Sequence, residues 1–529
     1  MKNEQVKKTM KGALILSIAS LVAKILSAIY RIPFENIVGN TGFYVYQQVY
    51  PLYGIGMTFA LTGFPVYISK LVAEKQSAAE KLRLVQQLFV ILCVFSVLTF
   101  SGLRLFAPVI AKAMGDLELT VLIKSVSWML LFMPFLAVGR GYYQGTFNMV
   151  KTAVSQVTEQ FVRVGLIILA AFLFARLDWS FYKMGALAML ASSAGAVVAC
   201  LSFVGFYHKH FFKRINAPKT SYLELTEKLF TDGLILCLFA SMMVLLQLID
   251  SFTVVRGLFE NGFLPAEAKN IKGIYDRAQP LVQLGMVLAV GFSSTLLPTL
   301  SHALQQKKMA EFRRISSVML RVSLAIAVAA TFGMIVLMPQ INTLLFGDAH
   351  LSTTLSVYAL SIIFITVIGT YNSILQSLNQ FLITVFGLIL ALITKLVLNV
   401  WLIGRLNIMG ASLATVVSLI VALVWILAFM PELVKGLFKD GYFWIKLALA
   451  TSAMFGCVWL FLKLVSPLFG TGRLECLGLV CVGALLGASV FLGAALGLKL
   501  FSVREWLLLP GGRKILKLWQ SILRKKENK

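Results

Sequence analysis

The chain has 529 residues, of which 59% are hydrophobic and 13% are charged, whereas a soluble domain is about 45–50% apolar and about 25% charged. This composition predicts an all-α polytopic membrane protein and excludes a soluble catalytic domain of ordinary size. The formal net charge of +26 does not indicate nucleic-acid binding, because most basic residues flank apolar runs, as expected of cytoplasmic loops.

Apolar runs bounded by charge, glycine or proline predict about fourteen spanning helices, since about 20 apolar residues cross a membrane. In chain order they are 11–36, 44–69, 84–111, 120–144, 153–175, 184–207, 229–256, 274–301, 315–339, 351–377, 382–403, 409–430, 443–465 and 475–499. An even number puts both termini on one side, where termini and alternate loops carry about 29 Lys and Arg, against about 8 in the other loops. We therefore expect a multi-pass protein of the cytoplasmic membrane with both termini in the cytoplasm.

An internal repeat links helix 2 to helix 8. The residues that coincide without a gap are Tyr46 and Tyr275, Pro51 and Pro280, Leu52 and Leu281, Gly56 and Gly285, and Met57 and Met286. Further matches follow in the same order, namely Gln144 with Gln376, Arg163 with Lys395, and 184–186 with 409–411. The repeat predicts six-helix lobes at 1–215 and 220–435 related by a parallel pseudo-two-fold axis. Helices 13 and 14 follow at 440–500, and a basic amphipathic tail at 501–529 is expected to lie on anionic lipid.

Transporters built from such repeats bind substrate near the bilayer midplane between their lobes and open alternately to each side. A duplication with a structural role alone is the alternative. Charges inside the spans are informative, because a charge near the bilayer centre costs about 2.5–3.5 kcal/mol or more. Those that cannot reach the headgroups should face water or a partner. Lys24, Arg163 and Lys395 lie too deep in their predicted helices to reach the headgroups. Bases near helix ends are expected to extend to the headgroups instead; these are Arg104, Lys124, Arg140, Lys446 and Lys463.

Lys24 and Arg31 are two helical turns apart on one face of helix 1, and Glu35 lies one turn further along it. We predict a central cationic cavity that binds an anionic headgroup and is lined by Lys24, Arg31, Arg163, Arg277 and Lys395. The acids predicted as charge partners or ion-coupling sites are Glu35, Glu159, Asp250 and Asp276. Pro51 and Pro280 are expected to kink their helices. Alternatively, pairs such as Glu159 with Arg163, or Glu35 with Arg31, only hold helices together.

Short motifs resemble a known family. They are Lys24 to Phe34, the Ile37 to Gly39 turn, Gly63 to Pro65, Ser69 to Glu74, and Tyr275 to Leu281. In these the chain resembles the SpoVB and MviN branch of the multidrug/oligosaccharidyl-lipid/polysaccharide exporter superfamily, from helix 1 through helix 12. The resemblance implies that undecaprenyl-pyrophosphate-linked saccharides, lipid II among the candidates, are flipped across the cytoplasmic membrane by alternating access. It also implies that helices 13 and 14 form a groove for the prenyl tail.

Lipid II flippases carry essential cavity bases on helices 1, 2 and 8. Lys24 and Arg277 match such positions directly and Arg31 matches approximately, whereas residues 46–53 of helix 2 contain no charge. The substrate could therefore be another lipid-linked polysaccharide unit instead of lipid II. An ion-coupled multidrug exporter of the same superfamily is the alternative function, although its site should be lined by acids.

A membrane enzyme is disfavoured, because the four histidines lie near loops and no carboxylate pair or Ser/His/Asp grouping occupies an extended loop. A scaffold that transports nothing is a further alternative. The six cysteines show no metal-ligand spacing, so we expect neither a metal nor a cofactor. The expected partners are a lipid-linked saccharide and membrane lipids, with no nucleic acid, and the protein is expected to be a monomer. No GxxxxGK[ST] motif indicates ATP hydrolysis, and energy could come from a coupled ion or from the membrane potential.

Overall fold

The computed structural model describes residues 2–211, 213, 215–218, 220–437, 441–470, 472–508 and 512, and this part of the chain contains helices but no strand. The helices as far as Asp276 are α1 (Lys2–Ile29), α2 (Arg31–Thr58), α3 (Phe64–Glu74), α4 (Ala78–Leu105), α5 (Ala107–Ala113), α6 (Thr120–Ser127), α7 (Met133–Gly145), α8 (Met149–Leu177), α9 (Phe181–Leu201), α10 (Val204–Phe206), α11 (Tyr222–Lys228), α12 (Leu234–Ala240), α13 (Met242–Glu260) and α14 (Pro265–Asp276). Those that follow are α15 (Ala278–Gln305), α16 (Met309–Val336), α17 (Met338–Phe346), α18 (Ser352–Ala359), α19 (Ser361–Ser377), α20 (Leu382–Leu406), α21 (Ile408–Phe429), α22 (Gly441–Val465), α23 (Arg473–Gly497) and α24 (Val503–Leu508).

Twelve helical stretches in the described residues are long and apolar enough to cross a membrane. This confirms the predicted all-α polytopic class. The first stretch, Ile15–Glu74, has 60 residues, about three times the length that one crossing needs. The count of fourteen spans and the two symmetric lobes stay predictions. The basic tail predicted at 501–529 lies outside the described residues after Leu508, apart from position 512.

The helix boundary near the start of the chain differs from the prediction. The sequence suggests a loop between residues 36 and 44, but α1 ends at Ile29 and α2 begins at Arg31. Gly39 is the residue with non-helical angles inside α2, with φ of 69° and ψ of 177°. Glycine reaches positive φ at little steric cost, so the chain changes direction here while the helix resumes at once.

The two prolines of the repeat occupy different positions. Pro51 lies in the interior of α2. Pro280 is the third residue of α15, and the break between α14 and α15 falls at Arg277. Proline has no N–H for the carbonyl four residues earlier, and for Pro280 that carbonyl belongs to Asp276, the last residue of α14. Arg277 lies at this break and is buried.

By their internal contacts the described residues form two compact units. Unit 1 comprises Met1–Pro280 and Thr384–Val421, and unit 2 comprises Leu281–Ile383 and Ala422–Lys529. In unit 1, α2 lies within a buried apolar cluster to which α6 and α9 contribute. In unit 2, α22 packs against α23, where a Cβ on Gly483 would lie 2.9 Å from Leu337 and one on Gly487 would lie 3.1 Å from Val458. These two glycines therefore serve close helix packing.

Candidate functional site

Unit 1 contains a group of ionisable side chains that are at most 2% exposed. Its members are Arg31, Glu35, Arg140, Glu159, Arg163, Asp250, Lys272, Asp276, Arg277 and Lys395. Taking a charge out of water costs several kcal/mol unless a partner of opposite charge or several hydrogen bonds compensate. The partners of each side chain therefore show whether it has a structural role or is left to meet a ligand.

The first buried ion pair joins Arg277 to Glu35. Nε and Nη2 of Arg277 donate to Oε1 of Glu35 at 3.1 and 2.8 Å, and Nη2 also donates to Oδ1 of Asn40 at 2.8 Å. The contact depends on a close approach of α14 to α2, since a Cβ on Gly273 would lie 2.0 Å from the carbonyl oxygen of Asn40. The suggested pairing of Glu35 with Arg31 is wrong, because the break at Arg277 brings that guanidinium to the carboxylate.

The second pair joins Lys395 of α20 to Asp250 of α13. Nζ of Lys395 lies 2.8 Å from Oδ1 and 3.0 Å from Oδ2 of Asp250, and it also donates to Thr415 of α21. Asn399 donates to Oδ1 at 2.8 Å and the Tyr275 hydroxyl donates to Oδ2 at 3.2 Å. Both carboxylate oxygens are thus satisfied, and four helices meet at one buried pair.

Two more ion pairs involve α14. Lys272 pairs with Asp276 one turn later on the same helix. Near the start of α14, Nζ of Lys269 lies 2.7 Å from Oδ2 of Asp116. The Tyr182 hydroxyl donates to the same oxygen at 2.7 Å. Sequence reasoning missed Lys269 and Lys272, because the predicted span began only at residue 274.

Arg140 of α7 corrects a prediction. It was expected to extend to the headgroups, but it is fully buried and forms an ion pair with Glu159 of α8. Its Nε donates to Ser155 and its Nη1 to the carbonyl of Ala60, each at 3.0 Å. The suggested pairing of Glu159 with Arg163 is therefore wrong as well. The prediction from the distance to the helix end failed, because α8 packs against α7 and buries Arg140.

Arg31 and Arg163 form no ion pair with any described residue. The Arg31 nitrogens have no hydrogen-bond partner in the described part of the chain, and its Cζ lies 4.1 Å from the centroid of the Tyr50 ring. Cζ of Arg163 lies 5.2 Å from the Tyr30 ring and 4.7 Å from the Tyr53 ring. Both guanidiniums rest on aromatic faces, which attract cations without neutralising them.

Arg163 also has neutral polar partners. Its Nη2 donates to Oε1 of Gln160 at 2.7 Å and to Oγ of Ser27 at 3.2 Å, while Nη1 has no partner among the described residues. A neutral amide and a hydroxyl leave the positive charge of the guanidinium in place.

The rings around the two arginines form one cluster, here called the tyrosine cluster, made of Tyr30, Tyr46, Tyr50 and Tyr53. Successive rings lie 5.4 to 6.4 Å apart, and the Tyr30 and Tyr46 hydroxyls are 2.8 Å apart. Residues 46, 50 and 53 are spaced to share one face of α2. This spacing is visible in the sequence, but it fits an ordinary apolar core equally well. Phenol hydroxyls and guanidinium N–H groups together can donate hydrogen bonds to an anion.

The predicted cavity residues therefore separate into three groups. Arg31 and Arg163 meet at the tyrosine cluster without an acid. Arg277 and Lys395 are neutralised by Glu35 and Asp250. Lys24 is exposed and makes no hydrogen bond or ion pair with the described residues. Within the buried group of unit 1, the positive excess consists of the two arginines at the tyrosine cluster.

The chain is similar in sequence to a known protein family and to membrane proteins of Bacillus subtilis. The polysaccharide biosynthesis protein family matches residues 9–304. An uncharacterised membrane protein of Bacillus subtilis (strain 168), YabM, is 37% identical over 417 residues, which are 77% of this chain and 77% of the relative. The lipid II flippase MurJ of the same organism is 25% identical over 519 residues, which are 92% of this chain and 94% of the flippase.

A solved structure titled lipid II flippase MurJ, inward closed conformation, has a TM-score of 0.70 at 16% identity and covers 91% of this chain and 98% of its own. These comparisons confirm the fold class, the resemblance found in the motifs, and the prediction of a multi-pass membrane transporter rather than an enzyme. The matched family spans more than half of the sequence, and a relative above 30% identity covers three quarters of it. The chain belongs to the polysaccharide biosynthesis protein family.

Proposed function

We propose that the protein flips an undecaprenyl-pyrophosphate-linked saccharide across the cytoplasmic membrane by alternating access, with Arg31 and Arg163 receiving the pyrophosphate. The observation that carries the proposal is the pair of fully buried guanidiniums with no acidic partner among the described residues. A buried charge without a counter-charge is costly, and an anion that binds between the two would offset this cost. Arginine suits the task because its planar fork of donors matches phosphate oxygens.

The chemistry of this substrate explains why such a site belongs in a membrane. The pyrophosphate and its sugars are strongly hydrated and cannot cross hydrocarbon, whereas the prenyl tail has no need to leave it. A cationic site that opens to one side at a time would carry the head while the tail stays in lipid. The lipid II flippase MurJ, similar over nearly the whole chain, supports a substrate of this class.

The paired charges have a different part in the proposed cycle. Lys269 and Arg277 tie α14 and its C-terminal end to Asp116 and to Glu35 of α2 by ion pairs, at the side that the loop charges predict to be extracellular. In this conformation Arg31 and Arg163 are buried, so the head reaches them only after helices separate. We infer that release to the outside requires the contacts of α14 with α2 to break, and that these pairs act as a latch.

The transport step can be tested with purified protein in liposomes. Arg31→Gln should lower the initial rate of flipping of a labelled undecaprenyl-pyrophosphate saccharide by about tenfold or more, because charge-assisted contacts to the pyrophosphate are lost. Arg405→Gln is the matched control, since Arg405 is exposed and stacks on Trp401. Thermal unfolding of each variant separates a folding defect from a transport defect. A folded Arg31→Gln protein that flips at the unaltered rate would contradict the proposal.

The saccharide itself can be identified in cells. Depletion of the protein, in a strain that lacks other flippases of the family, should cause one lipid-linked saccharide to accumulate on the inner leaflet. Mass spectrometry of the extracted lipids identifies its sugars. If the lipid-linked saccharides stay at their normal level and cationic drugs accumulate instead, the protein is an exporter of the multidrug type.

A further inference from the structure

A second polar site lies in unit 2, apart from the tyrosine cluster. A cavity of about 660 Å³ opens at the start of α16, and its lining includes Arg313, Arg314, Ser317, Arg321 and Glu505. The volume falls within the range of about 300–1,000 Å³ that small-ligand sites occupy. Among the described residues of the lining, three arginines stand against one glutamate, which makes this part of the lining net positive.

Glu505, the one acid among the described lining residues, is already engaged. The Ser502 N–H donates to Oε2 of Glu505 at 2.6 Å, and the Glu505 N–H donates to Oγ of Ser502 at 3.3 Å. This reciprocal arrangement is a capping box at the start of α24. The carboxylate thus stabilises a helix end instead of neutralising an arginine.

Arg313 and Arg314 keep most of their donors. Arg313 uses one of its five N–H donors on the carbonyl of Lys435 at 3.0 Å. Arg314 is exposed and makes no hydrogen bond or ion pair with the described residues. Gly436 and Leu437, which also line the cavity, follow directly on Lys435. The cavity is thus lined by two exposed arginines, Arg313 and Arg314, whose remaining N–H donors are available to a ligand.

The predicted position of the cavity relative to the bilayer limits which ligands can reach it. Arg313 and Arg314 lie just before the predicted span 315–339, on the side that the loop charges assign to the cytoplasm. That places the cavity at the depth of the inner-leaflet headgroups, where anionic lipids are concentrated. Guanidinium groups bind phosphate oxygens through paired hydrogen bonds.

We propose that this cavity binds a phosphate-bearing anion, supplied by an anionic phospholipid headgroup or by a soluble phosphate compound. The site is independent of the flipped substrate, because it lies in unit 2 and shares no residue with the tyrosine cluster. It ties the start of α16, the segment before α22 and the start of α24 through one ligand, so its occupation should stabilise unit 2.

The test is a thermal-unfolding titration of the full-length protein in a zwitterionic detergent with three probes: short-chain phosphatidylglycerol, short-chain phosphatidylcholine and inorganic phosphate. The variant Arg313→Gln/Arg314→Gln removes two exposed bases from the lining, and Lys307→Gln/Lys308→Gln removes two exposed bases from the preceding loop. Phosphatidylglycerol should raise the Tm of the unaltered protein more than phosphatidylcholine does. The apparent Kd should weaken about tenfold or more in the arginine variant only.

The outcomes separate the two sources of the anion. A shift with phosphatidylglycerol that the arginine variant loses assigns the site to a lipid headgroup. A shift with inorganic phosphate alone, again lost in the arginine variant, assigns it to a soluble compound. Equal shifts in all variants, loss of the shift in both double variants, or absence of any shift would overturn the proposal.

Discussion

The buried pair of Asp250 and Lys395 gives a prediction whose size follows from the structure. Both side chains are at most 1% exposed. Lys395→Met would leave the Asp250 carboxylate buried with only the neutral donors of Asn399 and Tyr275. Removing one partner of a buried ion pair costs about 3–5 kcal/mol. Asp250→Asn should cost a similar amount, because it strands the ammonium of Lys395.

The double variant Asp250→Asn/Lys395→Met tests whether the two charges stabilise each other. With both charges gone no unpaired charge is left, so its cost should be well below the sum of the single variants and near that of one lost neutral hydrogen bond, about 0.5–1.5 kcal/mol. The free energy of unfolding of the four proteins in one detergent forms a double-mutant cycle. An additive cycle, within about 0.5 kcal/mol, would refute the pairing.

The same set of proteins tests the predicted ion-coupling role of Asp250. If the pair only joins helices, the folded double variant in liposomes should flip substrate at close to the unaltered rate, with an unaltered dependence on membrane potential. A rate that loses this dependence while the fold is retained would show that the pair moves charge during transport.

Two further predictions concern packing and topology. Gly273→Ala should destabilise the protein by about 2 kcal/mol or more, because its Cβ would overlap the Asn40 carbonyl, whereas Gly404→Ala, which meets nothing within 4 Å, should be neutral or slightly stabilising; comparable Tm values for both would contradict the close approach. In a cysteine-free background, Lys307→Cys should react with a membrane-impermeant maleimide only after the cells are permeabilised. Asn261→Cys should react in intact cells. The reverse pattern would overturn the predicted orientation.

The fold class could be predicted because its physics is local. A run of about 20 apolar residues has few stable alternatives to a spanning helix, so composition and spacing alone indicate an all-α membrane protein. Depth within a run singled out Lys24, Arg163 and Lys395; Arg163 and Lys395 are buried, whereas Lys24 is exposed. The boundary near Tyr30 was missed, because it falls inside the predicted span 11–36, whereas the turn at Gly39 lies within the predicted connection between residues 36 and 44.

The pairing of charges could not be predicted, because it depends on contacts between distant parts of the chain. Arg277 and Glu35 are 242 residues apart, and Lys395 and Asp250 are 145 apart. Sequence reasoning compared acids and bases within one helix, where only neighbours three or four residues away can meet. The tyrosine cluster escaped notice for a related reason, since tyrosines in an apolar run look the same whether they pack together or surround a cation.

The contrast between paired and unpaired bases bears directly on mechanism. A base with a fixed acidic partner gains little from an anionic ligand, because binding must first replace an existing interaction of similar strength. A base that rests on aromatic rings gains more, since cation–π attraction amounts to about 0.5–2 kcal/mol and charge-assisted phosphate contacts are stronger than this. Arg31 and Arg163 are therefore the side chains with the most to gain from the pyrophosphate. Arg277 and Lys395 are instead neutralised by Glu35 and Asp250, and we propose that these pairs hold together the helices around that site.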